Sequence, residues 1–340
     1  MTNAGKVDVR TQLGHASVIN AARTVFDPSY YLAANPDIAE VASDPFEHYM
    51  SVGWAEGRSP HALFDAKHYM SCYTDVFQAA VNPFTHYLTV GWRENRRPHP
   101  LFDVQWYLNT NVDVAESGIE PWTQFVTSGW KEGRSPNPIF DTEGYARRIG
   151  IDLGPNARGP SALAHYVQVG WQQGIDPHPL FDVQGYLSRY PDIAVSEVEP
   201  LGHYLMQGWR ECRQPNILFD PAFYLAQRPD IADADCDPFE HYLHQGWKEG
   251  SNPNPYFDVE WYLNERIDVR DAGIDPLTHY ILAGWREHQA PSPRFCPNHY
   301  VAATIDASAG QYNPLAHFLA IGCQKGYEPV APGSPLGRFE

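Results

Sequence analysis

The sequence contains no run of the ~18 apolar residues that a membrane-spanning helix requires. It is also short of cations, with 24 Lys and Arg against 41 Asp and Glu, for a formal charge of −17. Such a surface repels a phosphate backbone, and no basic stripe offsets it, so a nucleic-acid partner is excluded. Cysteine is scarce and odd in number: Cys72, Cys212, Cys236, Cys296 and Cys323, with no C-x-x-C pair. Neither a disulfide framework nor a zinc site is expected, only reduced, partly buried thiols. Met1 to Arg10 are polar and lack the apolar core of a secretory signal, which predicts cytoplasmic residence, or export by a signal elsewhere in the chain. Strand signals are missing too, with no sustained alternation and no Asn-Gly between apolar runs. No nucleophile–base pair, Gly-rich phosphate loop or Cys/His cluster occurs, so neither an enzyme nor a cofactor is expected.

What is abundant is aromatic residues (14%), Pro (30) and Gly (26). They are periodic. Phe-Asp recurs at Phe26, Phe64, Phe102, Phe140, Phe181, Phe219 and Phe257, and Phe295-Cys296 continues the row. The step is 38 residues, and 41 once. Gly-Trp recurs in phase at Trp54, Trp92, Trp130, Trp171, Trp209, Trp247 and Trp285, with Cys323 in the next slot. A proline follows each of these positions by six residues, from Pro60 to Pro329. Three phased markers define eight tandem repeats. The expected fold is an all-α, right-handed-type helical-repeat solenoid of about 38 residues per unit, each unit two or three short helices. Residues 1–25 are read as an N-terminal cap, 26–326 as the array and 327–340 as a flexible tail.

The punctuation inside a repeat predicts its helices. Asp27 is an N-cap and Pro28 suits the first turn, where no donor is needed. Pro36 interrupts, so Asp37 and Ile38 open a second helix. Asp44 with Glu47 forms a D-x-x-E capping box for a third helix, copied by Asp237 with Glu240. Phe46, Tyr49, Met50, Gly53 and Trp54 fall on one face of it. Gly57 is placed to end it in a left-handed conformation, and Pro60 blocks continuation. Phe26, Tyr31, Leu32, Tyr49 and Trp54 are the expected core, buried against their equivalents one repeat away. The fourth repeat, about 140–180, carries three extra residues around Gly154–Pro160, read as a tolerated surface insertion, with a bend in the superhelix or a local binding loop as the alternatives.

The run Phe219 to Ala232, with His241-Tyr242-Leu243 and Gly246 to Gly250, resembles the "FDxxYYLxxNPDVA … DPLxHYLxxGWxEGRxP" repeats of bacterial proteins. Those repeats accompany polysaccharide-building glycosyltransferases and occur in some large secreted proteins. The resemblance covers about residues 26–330. It implies a non-catalytic repeat part, because the repeats are not the known catalytic portion of those proteins.

Several rows attract a chemical reading. His48, His86, His165, His203, His241, His279 and His317, with Gln124 in the third slot, are expected to be structural, each ring bonded to a carbonyl or carboxylate, because successive repeats lie too far apart to share an ion. Asp37, Asp75, Asp113, Asp192, Asp230 and Asp268 are single in each repeat and read as caps rather than a calcium ladder. Asp233-Ala234-Asp235 matches a D-x-D triplet only weakly. Trp106, Trp122 and Trp261 lie outside the Gly-Trp register. Trp106 and Trp261 share a variable, mostly aromatic slot with Tyr30, His68, Gly144, Gly185, Phe223 and His299. Tyr30, His68, Trp106, Phe223 and Trp261 are therefore the candidate binding residues, as an exposed stacking surface; partial burial at a repeat seam is the alternative. The expected function is a scaffold for protein–protein interaction, with a polysaccharide as the alternative partner.

Overall fold

A computed structural model describes residues 9–41, 44–196, 198–304 and 312–331. Among them the regular elements are helices and no β-strand occurs, only isolated bridges such as His61 with Phe64. The architecture is an all-α repeat solenoid. The chain divides into two compact units, Met1–Gln173 and Gly174–Glu340.

The first repeat shows how the sequence builds a unit. Asp27 caps α2 (Pro28–Ala34), its Oδ1 accepting the Tyr30 N–H at 2.9 Å. Asn35 ends that helix and α3 (Pro36–Val41) follows. Asp44 caps α4 (Pro45–His48), taking the N–H groups of Phe46 and Glu47 at 2.8 and 3.1 Å. The Glu47 carboxylate is drawn to Arg23, an ion pair that takes it away from the reciprocal half of a capping box. Other repeats use Asn82, Glu120, Ser161, Glu199, Asp237, Asp275 and Asn313 in the Asp44 slot. Gly57 takes φ +73°, as a left-handed helix terminator should.

The core is aromatic and mostly internal to a repeat. Phe26 sits 5.2 Å from Tyr31, 5.3 Å from Phe46 and 5.8 Å from Tyr49. This differs from the expectation that each ring meets its own equivalent next door. The link across repeats is Tyr49 to Phe84 at 6.0 Å, and Tyr204 to Phe239 at 6.0 Å. The Gly-Trp tryptophans depart further from expectation. Trp130 is buried, but Trp54, Trp92, Trp171, Trp209, Trp247 and Trp285 are only half-buried. They stand at the end of the third helix, and in several repeats the next residue lays a cation over the ring: Arg210 lies 4.1 Å above Trp209 and Arg286 4.5 Å above Trp285.

After α4 the backbone widens into a π-helical turn, Tyr49–Gly53. The same turn recurs at Tyr166–Gly170, Tyr204–Gly208, Tyr242–Gly246, Tyr280–Gly284 and Phe318–Gly322. In the second and third repeats the third helix instead runs as Pro83–Thr89 and Pro121–Thr127, each followed by a 3-10 turn. The N-terminal helix α1 (Val9–Val25) lies against those two helices, with Ala22 and Val25 buried.

Seven repeats close on themselves through the marker proline. The Asp27 N–H donates to the Pro60 carbonyl at 3.0 Å, and Asp65 to Pro98, Asp103 to Pro136, Asp182 to Pro215, Asp220 to Pro253 and Asp258 to Pro291 do the same. Cys296 donates to Pro329 at 2.9 Å, so the start of the 327–340 segment belongs to this closure, and residues 332–340 lie outside the described residues. The residue after the proline then ties neighbours together. Asn137 accepts the Ile139 N–H at 3.0 Å and donates its amide to the Leu101 carbonyl, 2.9 Å away in the preceding turn. Asn216 reaches Leu180 and Asn254 reaches Leu218 in the same manner. In the fourth repeat no second helix forms between Thr142–Ile149 and Ala162–His165. An irregular loop takes its place, pinned by the Gly154 N–H to the Lys131 carbonyl at 2.7 Å and by buried Ala157.

Candidate functional site

The histidine row is paired within each repeat, and its partner is a tyrosine rather than the carbonyl or carboxylate expected. Tyr31 Oη lies 2.9 Å from His48 Nδ1, Tyr186 2.9 Å from His203 and Tyr262 2.9 Å from His279. In the third repeat the Tyr107 hydroxyl donates to Gln124 Oε1, which identifies the role: the tyrosine donates and the ring nitrogen accepts. Burial holds the His86, His203, His241 and His279 imidazoles below their ordinary range, in keeping with neutral acceptors. The glycine of Gly-Trp follows from this pair. A Cβ at Gly53 would collide with the Tyr31 hydroxyl, and the clash repeats at Gly91, Gly246 and Gly284.

The aspartate row is not spent chiefly on capping, because each carboxylate has an arginine beside it. Arg58 holds Asp37 through two bonds of 2.9 and 2.8 Å and Glu56 through a third of 2.6 Å. Arg96, Arg134 and Arg213 repeat the clamp on Asp75, Asp113 and Asp192. In the sixth and seventh repeats that arginine slot holds Ser251 and Gln289. The guanidinium comes instead from Arg228, which bonds Asp230 at 2.7 Å and Glu249 at 2.5 Å, and from Arg266, which bonds Asp268 and Glu287 at 2.8 and 2.7 Å. Arg228 and Arg266 stand where the first repeat has Asn35. One guanidinium position is thus served from two places in the sequence. We expect Arg228→Asn to lower the melting temperature and Arg228→Asn with Ser251→Arg to restore it, measured by differential scanning calorimetry. The clamp also fixes an acid limit. Arg266 holds the Asp268 carboxyl at about 2, below the ordinary 3.8, so its contribution is complete above pH 3.8 and is lost as pH falls through 2.

Asp237 has the opposite shift. It receives the Tyr204 hydroxyl and the Phe239 N–H, both at 2.9 Å, but its Oδ2 is buried without a partner among the described residues. Burial pushes its carboxyl up to about 6 from 3.8. A raised acid is penalised while ionised, so the penalty is full above pH 6 and disappears below 3.8. Asn82 and Asn313 fill the same slot elsewhere and cap their helices. Asp237→Asn is therefore expected to stabilise the chain by about 1–3 kcal/mol at pH 8, with the gain gone by about pH 4, in paired urea titrations.

Tyr30, His68, Trp106, Phe223 and Trp261 all occupy one structural position. Each gives its backbone N–H to the capping aspartate three residues earlier, at 2.9 to 3.1 Å. All five are half-buried, so the slot is a seam position rather than a row of fully exposed rings. Trp122 is fully buried and belongs to the core, although it does not recur. Asp233 closes the helix Pro229–Asp233, and Asp235 pairs with Arg210 at 3.2 Å. Of the cysteines, Cys72, Cys212, Cys236 and Cys323 are exposed rather than partly buried.

One surface row was not singled out in the sequence. The residue before the third-helix cap is an exposed β-branched apolar side chain in four repeats: Val81, Ile119, Val198 and Ile274, 39 to 52% exposed. The second helices also expose Phe77 (66%), Val112, Val195 (83%) and Ile267. The signal was present as a V/I in the slot ahead of N-P, E-P or D-P. Among the described residues no group of three or more His, Cys, Asp or Glu converges on one point, and no helix is long and apolar enough to cross a membrane. Compared with family models, curated proteins and solved structures, the chain has no match.

Proposed function

We propose that this chain is a non-catalytic scaffold that binds protein partners. The observation that carries the reading is recurrence within each compact unit of an exposed apolar residue ahead of the third-helix cap, Val81 and Ile119 in the first and Val198 and Ile274 in the second. Folding gains nothing from leaving such side chains in water, and repeated exposed apolar positions mark association surfaces. In six repeats the core role on the second helix is already filled, by Ile38, Val76, Val114, Ile193, Ile231 and Val269, all buried. The acidic chain favours a partner surface that is apolar with a basic rim. The test compares proteins retained from host extract by the immobilised chain and by a Val198→Asp, Ile274→Asp variant. We expect the variant to release specific partners while keeping its melting temperature. Equal retention by both would refute the reading.

A further inference from the structure

We propose that the hollow beside Tyr30 binds one neutral, polyhydroxylated ring, a monosaccharide residue. It encloses about 360 Å³, near the small end of ligand pockets, and lies wholly within the first compact unit. Tyr30, Asp65 and His99 line it, and Val167 adds an apolar side chain from the fourth repeat.

His99 is the informative residue. It is 8% exposed, and its Nδ1 accepts the Leu101 N–H at 3.1 Å. That bond occupies the Nδ1 lone pair, so the neutral ring carries its proton on Nε2. The ring stays neutral because burial pushes it down to about 4. Elsewhere the residue in this slot turns its donor back to the preceding carbonyl, as Asn137 does to Leu101. The carbonyl that His99 would take, Leu63, is already bonded by the Trp122 indole at 2.8 Å. Among the described residues the His99 Nε2–H has no protein acceptor and is not sealed from solvent, and the ring lines the hollow, so a donor is open to a ligand there.

The other groups set the ligand's charge. Arg58 and Glu56 line the hollow but bond each other, and Arg58 is further committed to Asp37 and Asn35. The Asp65 carboxylate uses Oδ1 to cap its helix, leaving one oxygen to accept. The Lys67 ammonium balances that charge. The Tyr30 hydroxyl has no protein partner among the described residues, and its half-buried ring offers an apolar face. The lining thus offers a donor, an acceptor and an apolar ring face with formal charges in balance, which is what sugar hydroxyls and C–H faces match. Tyr30 is the one tyrosine in its slot, and His99 stands in the proline turn of the following repeat.

The test is saturation-transfer NMR on the full chain with the methyl pyranosides of glucose, galactose and mannose, and with glycine and sodium glucuronate as charged probes. His99→Asn keeps the turn cap that Asn137, Asn216 and Asn254 make, and removes the Nε2 donor. We expect at least one neutral glycoside to bind, and His99→Asn to weaken it about tenfold. Tyr30→Phe, which leaves the fold untouched, should weaken it as well and decides the matter if His99→Asn unfolds. Absence of binding by all three glycosides, preference for a charged probe, or affinity unchanged in the variants that fold would overturn the proposal. The site is separate from the valine and isoleucine row, so its failure leaves the scaffold reading intact.

Discussion

Trp122→Ala is expected to destabilise the chain by about 3–5 kcal/mol, the range for emptying a large, fully buried aromatic site. Its ring has no exposed surface and meets His61, Phe84, Phe64 and Tyr87 at centroid distances of 5.3, 5.7, 6.0 and 6.3 Å. Its indole N–H also satisfies the Leu63 carbonyl. Trp122→Phe would keep part of the packing and lose that bond, for a smaller loss of about 1–3 kcal/mol. Trp209→Ala should cost about half as much as Trp122→Ala, because Trp209 is half-buried and covered on one face by Arg210. Urea unfolding of the three variants gives the order directly. Equal losses for Trp122→Ala and Trp209→Ala would contradict the burial difference.

The second large effect comes from Gly284. An alanine there places a methyl group into the Tyr262 hydroxyl, and the next nearest atoms, on His279 and Tyr280, stand at an ordinary 3.4 Å. Gly284→Ala alone should cost about 2–3 kcal/mol, the range of overpacking a filled site. Tyr262→Phe alone removes the 2.9 Å bond to His279 and should cost about 1 kcal/mol. In the double variant the methyl group occupies the space the hydroxyl vacates, so the pair should cost little more than Tyr262→Phe. A double-mutant cycle by chemical denaturation measures this coupling. Additive losses would show that the glycine is required by the π-helical turn itself, not by the tyrosine.

Much of this fold was legible because its punctuation is local. Asp27, Pro28, Asp44 and Gly57 act within a few residues of themselves, and each does what its type and place suggest. The helical solenoid follows from repeating them. The misreadings were of partners distant in sequence. His48 finds Tyr31 across 17 residues, and Asp37 finds Arg58 across 21, so neither is visible in a cap-by-cap reading. The arginine exchange leaves a trace, since no repeat carries arginine at both slots, but a consensus motif averages it away. Trp122 misled for the opposite reason. Recurrence was taken as the mark of a core residue, yet a single ring can fill a seam where His99 leaves a carbonyl open. The five residues of the candidate slot share one structural position, and their half-burial could not be read from the repeat alone.

The two-place arginine clamp limits how the repeats can be rearranged. A crossover that joins the front of the sixth repeat, with Arg228, to the back of the fifth, with Arg213, yields a unit with two guanidiniums competing for one pair of carboxylates. The reciprocal product has Tyr190 and Ser251 in those slots and none. Exchange inside a repeat therefore keeps the clamp only between units that place the arginine alike; joining the two kinds calls for breakpoints in the proline turns, and a designer splicing modules from the array inherits the same rule.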